Sequence, residues 1–377
     1  MSTPRPMHQL YPPESGELPP LRLDHLRRMT DDTGILQHAF YTAPDPHFGY
    51  ATDDNARALL VAVQSAQVTG GEDGIDLAWR YLSFLRYAQR PDGRFRTFLG
   101  YDRRWLDEVG SEDSQGRAVW GLGYAISSAS QPGMVHSAEI LLEKFLPHIP
   151  GLSAPRAQAF ALIGLGWATQ GGYRRDQLPG LMLPLADRLL ELWDATADDE
   201  WPWFENIIAY SSPKLCEGLL HAYLVSGRPR YAEVAIRGLD FLLSLYFDGH
   251  MLDLIGQNGW YVRGGQRAVF DQQPVDAQAV IHGCMAAYQV TGDDAYLARA
   301  YDAFAWFLGR NRLGQALYDT NSGGCFDGIH PDRLNGNQGA ESTLSYLLSR
   351  LAFELPMLPP RGNTTDGVCA LMAVPAR

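Results

Sequence analysis

Six stretches of this chain place acids, amides and arginines at the start of an apolar run. They read Thr52-Asp-Asp-Asn-Ala-Arg, Ser111-Glu-Asp-Ser-Gln-Gly-Arg, Ala154-Pro-Arg-Ala-Gln, Ser212-Pro-Lys-Leu-Cys-Glu, Pro274-Val-Asp-Ala-Gln and Asn335-Gly-Asn-Gln-Gly-Ala-Glu. Among the residues they contribute, and in a Trp203-Phe-Glu-Asn stretch, the carboxyls Asp54, Glu112, Asp113, Glu205, Asp276 and Glu341 could supply an acid–base pair. Cleavage of a glycosidic bond needs such a pair, one carboxyl protonated and one ionised. Neighbouring acids in a partly desolvated pocket split their pKa values and provide both forms near neutral pH. The expected catalytic set is Asp54 or Asp113 as base, with Glu205 or Glu112 as acid. Acids carried on separate helices around a pore would favour the wide separation of an inverting enzyme, about 6.5–9.5 Å.

Around these acids, Asp53, Arg57, Gln115, Arg117, Asp276, Gln278, Asn337 and Glu341 could hold sugar hydroxyls. Helix capping explains part of the same pattern: Ser, Thr, Asp and Asn accept hydrogen bonds from free amides at helix starts. It accounts for Thr52, Ser111, Ser212 and one acid of each pair. Capping does not reach Arg57, Gln115, Arg117, Gln158, Gln278 or His282, which lie a turn or more inside apolar helices. Buried polar groups need partners, so these residues imply either a wet cavity or an interlocked structural network. The segments leading into the helices add aromatics, including Phe48, Tyr101, Trp105 (beside Arg104), Trp203, Trp260, Tyr318 and Phe326, with His47 and His330 among them. Aromatic rings can stack on the apolar C–H faces of sugars.

The elements that must carry these residues follow from periodicity. Apolar spacing of the i, i+3, i+4 kind runs through 21–31, 53–69, 75–90, 113–129, 135–147, 154–169, 176–195, 213–227, 229–246, 275–291, 294–310 and 338–353. Every second helix is apolar on nearly all faces, which marks burial on both sides. The others carry charge on one face. Six inner and six outer helices in alternation predict an all-α, (α/α)6 toroid over 21–355, closed by pairing 21–31 with 338–353. Short strands are expected at Ile35–Tyr41, Phe95–Leu99, Trp201–Phe204 and Trp260–Val262. Long segments enter the inner helices and short turns leave them, so function is expected where the inner helices begin.

Composition narrows the rest. A net charge of −12 disfavours nucleic acid. No apolar run is long enough to span a membrane, and Met1 to Pro20 lacks a signal-peptide core, so a cytoplasmic location is expected. Segments 1–20 and 356–377 read as loosely ordered. Cys216, Cys284, Cys325 and Cys369 show no metal spacing and read as free thiols. No phosphate loop, nucleophile elbow or HExxH motif is present, so neither a cofactor nor a metal is expected.

The stretches Tyr101-Asp-Arg-Arg-Trp-Leu-Asp-Glu-Val-Gly-Ser-Glu-Asp-Ser-Gln-Gly-Arg-Ala, Gly49-Tyr-Ala-Thr-Asp-Asp-Asn-Ala-Arg-Ala and Trp203-Phe-Glu-Asn resemble the six-hairpin glycosidase-like domains found alone or fused behind bacterial glycosyltransferases. The likeness runs from Leu21 to Phe353. It implies the toroid, an oligosaccharide substrate and a glycosyltransferase as a partner. The chain departs from the family after Glu205, where Ala209-Tyr-Ser-Ser-Pro-Lys replaces a Thr-Tyr-(Asp/Glu)-Asn-Ala stretch. Asp53-Asp54 is also similar to the paired aspartates of helical-barrel endo-mannanases. Two other functions stay open: a sugar epimerase or isomerase using His282, His47 or His330, and a non-catalytic glycan-binding module.

Overall fold

The computed structural model describes residues 18–358. Segments 1–20 and 356–377 therefore lie almost wholly outside the described residues, and Cys369 with them. The apolar periodicity resolves into twelve α-helices among the described residues: α1 Asp24–Arg28, α2 Thr52–Thr69, α3 Glu72–Ala88, α4 Glu112–Ser128, α5 Pro132–Phe145, α6 Pro155–Gln170, α7 Leu178–Thr196, α8 Pro213–Ser226, α9 Pro229–Tyr246, α10 Pro274–Thr291, α11 Asp294–Ala305 and α12 Ala340–Leu351.

The even-numbered helices form the inner ring. On α6 every residue from Arg156 to Thr169 is buried, and on α10 every residue from Pro274 to Ala287. A helix buried all round has no face to spare for water. Contacts run from α2 through α4, α6, α8, α10 and α12, and from α12 back to α2. The (α/α)6 toroid is thereby closed. Helix α1 is shorter than its apolar pattern, because Thr30 bridges Ile35 and turns the chain directly into a strand; α1 packs on α12.

Small residues let the inner helices approach. A Cβ on Gly164 of α6 would lie 2.2 Å from the carbonyl oxygen of Val119 on α4, and one on Gly123 would lie 1.9 Å from the carbonyl oxygen of Gly164. The two backbones touch where these glycines face each other. Buried thiols fill part of the core: Cys216, Cys284 and Cys325 are free.

Strands are short and confined to the segments between helices. The longest set is an antiparallel three-stranded sheet, β1 Leu36–Phe40, β2 Ala43–Ala51 and β3 Phe98–Leu99, in that order. The strands expected at Ile35–Tyr41 and Phe95–Leu99 contain β1 and β3, but β2 is missed, because its prolines at 44 and 46 hide it. Three two-stranded pairs join β4 Ile207–Ile208 with β7 Tyr261–Val262, β5 Phe247–Asp248 with β6 Met251–Leu252, and β8 Gly328–Ile329 with β9 Leu334–Asn335. The strand expected at Trp201–Phe204 does not form. The indoles of Trp201 and Trp203 donate to the carbonyls of Glu205 and Ile207, four residues on, and the segment curls.

Gly164→Ala should cost about 1–3 kcal/mol through overpacking, read as a lower midpoint in denaturant unfolding with an unchanged slope. An unaltered midpoint would show that α4 and α6 have room to separate.

Candidate active site

A cavity of about 540 Å³ opens at the end of the toroid where the inner helices begin. It does not sit evenly over the pore. Its wall comes from the starts of α2, α10 and α12, from strand β1, and from the segments that lead into α10 and α12. Asp53, Asp54 and Arg57 enter from α2, Glu341 and Ser342 from α12, and Asn337 from the approach to α12.

Arg57 organises this wall. It is 1% exposed, and its guanidinium donates to Asp54 Oδ1 at 2.7 Å and to Glu341 Oε2 at 2.9 Å. Asp53 Oδ2 lies 3.4 Å away. A buried charge without such partners would be costly. The two main carboxyls on this guanidinium are biased in opposite directions. Burial, then the adjacent Asp53 charge, pushes Asp54 up to about 8 despite Arg57. For Glu341 burial also favours the neutral form, but the charges of Arg57 and Arg117 outweigh it and hold the carboxyl below its ordinary range. Glu341 is the more open of the two, with its side chain 46% exposed.

Beneath the cavity the remaining polar residues of the inner helices interlock. Arg117 lies over the Phe160 ring, 4.6 Å from its centroid. It is near enough to Asp54, Asp276 and Glu341 to favour their ionised forms. Asp276 accepts from the Ser211 amide, and burial raises its pKa to about 7. Gln278 is buried, and its Nε2 lacks a partner among the described residues. His282 is buried between Lys214, which donates to its Nδ1, and the Leu348 carbonyl. Burial and the Lys214 charge keep it neutral.

Several residues expected at the site do structural work instead. Glu112 accepts from the amides of Ser153 and Ala154 and from the Ser153 hydroxyl, tying the start of α4 to the start of α6. Burial opposes its ionisation, but these three donors win and lower its pKa. Glu205 pairs with Arg156 at 2.9 Å, and Asp113 accepts from the Tyr210 hydroxyl. Gln115 clamps both backbone groups of Phe95. Trp203 is fully buried in the core, and Trp105 packs against Phe84 and Tyr87. Arg104 is exposed beside Asp102, and Tyr101 stacks on Tyr50; neither lines the cavity. The capping reading holds at Ser111, whose Oγ accepts from the Ser114 amide. It fails at Thr52 and Ser212, whose hydroxyls donate to the carbonyls of Arg96 and Ala209.

The cavity also contains groups that the sequence reading passed over: Gln37, His38, Asp271 and Asp327. Asp271 accepts from Nδ1 of His330 at 2.6 Å, which leaves Nε2 as the free end of an oriented imidazole. Asp327 accepts from the Gly339 amide and the Ser342 hydroxyl, and burial raises its pKa. All four precede inner helices, where function was expected. The Asp271–His330 pair, 59 residues apart, leaves no periodic signal.

No protein-family model matches the chain, and no curated protein matches it. Solved structures do. The chain is similar to a cellobiose 2-epimerase from Bacillus thermoamylovorans, with a TM-score of 0.70 at 13% identity over 88% of this chain and 95% of that one. It is similar to a D-mannose isomerase, with a TM-score of 0.68 at 14% identity over 88% and 93% of the two chains. An α-1,6-mannanase from Salegentibacter sp. gives a TM-score of 0.59 at 12% identity over 88% and 96%. These likenesses establish the six-hairpin toroid.

Replacing Arg57 by Gln should cost about 1.5–3 kcal/mol at pH 7, because it removes hydrogen bonds from a charged donor to Asp54 and Glu341. Glu341 has a lowered pKa, so its pairing stabilises the fold above the unfolded carboxyl's pKa and is lost as pH falls through the folded value. The stability gap between wild type and Arg57→Gln should therefore narrow on acidification. Urea unfolding at two pH values reads it, and a gap that widens in acid would contradict the assignment.

Proposed function

We propose that the chain is a carbohydrate-active enzyme and that the cavity hydrolyses a glycosidic bond, with Asp54 as proton donor and Glu341 as nucleophile. The observation that carries this reading is the pair of carboxyls on one guanidinium with opposite protonation bias. One guanidinium holds both carboxyls on the same wall of the cavity. They suit the shorter separation of a retaining enzyme, about 5–5.5 Å, in place of the wide one expected from the sequence. In this scheme Glu341 attacks the anomeric carbon while Asp54 gives its proton to the departing oxygen. Asp54, now ionised, takes a proton from water, and that water displaces Glu341 from the sugar. Asp53, Asn337, Gln37 and Ser342 line the same cavity and can hold hydroxyls. The shared fold with an α-1,6-mannanase supports sugar chemistry without fixing the sugar.

A second reading, sugar epimerisation or isomerisation, is favoured by the Asp271–His330 pair and by His38 in the same cavity. An imidazole oriented by a carboxylate is suited to moving a proton to and from carbon. The shared fold with a cellobiose 2-epimerase and a D-mannose isomerase supports it.

The deciding experiment is a hydrolysis screen on oligosaccharides, run beside free sugars in deuterated water. Hydrolysis should be lost in Glu341→Gln and fall by about 10²–10⁴ in Asp54→Asn. Glu112→Gln and Glu205→Gln should keep their rates. Azide should rescue Glu341→Gly by forming a glycosyl azide. The proton on Asp54 is held up to about pH 8, so the rate should decline as pH rises through that value, and Asp54→Asn should lose this limb. Deuterium uptake that depends on His330, without hydrolysis, would transfer the site to the second reading.

A further inference from the structure

The sheet beside the cavity leaves large aromatic side chains open to solvent. Phe48 is 52% exposed and Phe98 43%. Contiguous exposed apolar surface usually marks a binding site. Here it continues from the cavity: Phe98 of β3 and His38 of β1 line the cavity wall. Phe48 of β2 meets His38 edge-on, with ring centroids 4.5 Å apart. The path from the cavity to Phe48 is unbroken.

The backbone shows that the exposure of Phe48 is built in. In a regular strand, residues two apart share a face, so Phe48 would follow Tyr50 into the core. Gly49 prevents this. It adopts φ +63°, and a Cβ there would lie 2.2 Å from the Leu99 carbonyl oxygen. Only glycine fits, and the turn it makes sends Phe48 outward while Tyr50 stays buried. The Gln37 side-chain amide donates to the Phe48 carbonyl and holds the turn. Beside the rings, Asp45, the register partner of His38, pairs with His47 at 2.6 Å and adds polar groups to this face.

We infer that Phe98, His38 and Phe48 form outer sugar-binding subsites, so that the site takes an oligosaccharide whose chain leaves the cavity over the β1–β2–β3 sheet. This rests on the carbohydrate reading of the cavity. The occupant follows from continuity with the cavity: a chain seated at Asp54 and Glu341 has this wall as an apolar exit. The phenyl rings of Phe48 and Phe98 carry no hydrogen-bonding groups and suit the C–H faces of pyranose units better than they suit charged ligands.

The test uses gluco- and manno-oligosaccharide ladders of two to six units, with affinity measured by calorimetry and turnover by product analysis. In the wild type, affinity should rise with length. Phe48→Ala should weaken binding of the longest chains about tenfold and leave the disaccharide unchanged. Phe48→Trp should restore it. Because Phe48 is exposed, thermal melting of Phe48→Ala should match the wild type. An equal loss at every length, no loss at any length, or no gain with length in the wild type overturns the subsites while the carbohydrate reading stands. Failure of every chain in both ladders to bind or react removes that reading and the subsites together. Sedimentation supplies the remaining arm: a dimer that Phe48→Ala dissociates would make this face an interface between copies and overturn the inference.

Discussion

One buried guanidinium joins the two ends of the helical ring. Arg57 stands on α2, the first inner helix, and its partner Glu341 stands on α12, the last. The seam that closes the toroid is therefore also the wall that carries the paired carboxyls. A charge at 1% exposure cannot be left alone. It draws Asp53, Asp54 and Glu341 to itself and fixes where acidic chemistry can occur.

This explains why six similar helix starts give one candidate site. On α4 and α10 the leading acid is used to tie neighbours together. Glu112 grips the amides before α6, and Asp276 grips the amide of Ser211 before α8. Gln115 and Gln158 extend the same ties to the carbonyls of Phe95 and Leu152. Each bond satisfies a backbone group that would otherwise be buried without a partner. The two alternatives left open by the sequence, a cavity and an interlocked network, both find a place: an open cavity at the seam of α2 and α12, and a network beneath it and around the rest of the ring.

The fold was legible because a closed double ring imposes a periodic burden on nearly every residue. Inner helices must be apolar all round, outer ones on one face, and their order then follows. The site was legible only in part. Asp54, Arg57 and Glu341 stand out as charges inside apolar helices. What periodicity cannot tell is whether an acid such as Glu112 meets an amide or a cavity, since that depends on where the next segment runs. The pairing of Asp271 with His330 is invisible for the same reason. Both lie between helices, 59 residues apart, and meet only because β8 is drawn against the approach to α10 by the bridge between Gln272 and Ile329. Trp203 shows the opposite error, an aromatic in the right stretch whose ring completes the core.

Closure of the ring by its first and last inner helices also sets when the molecule can work. Asp54 and Glu341 are separated by most of the chain, and no intermediate segment substitutes for α12. Without α12 the inner helices α2 to α10 would form an arc and not a closed ring. The paired carboxyls require α12 to be docked against α2. A product ending before α12 would keep eleven of the twelve described helices and yet lack Glu341, leaving Arg57 with only its α2 partners.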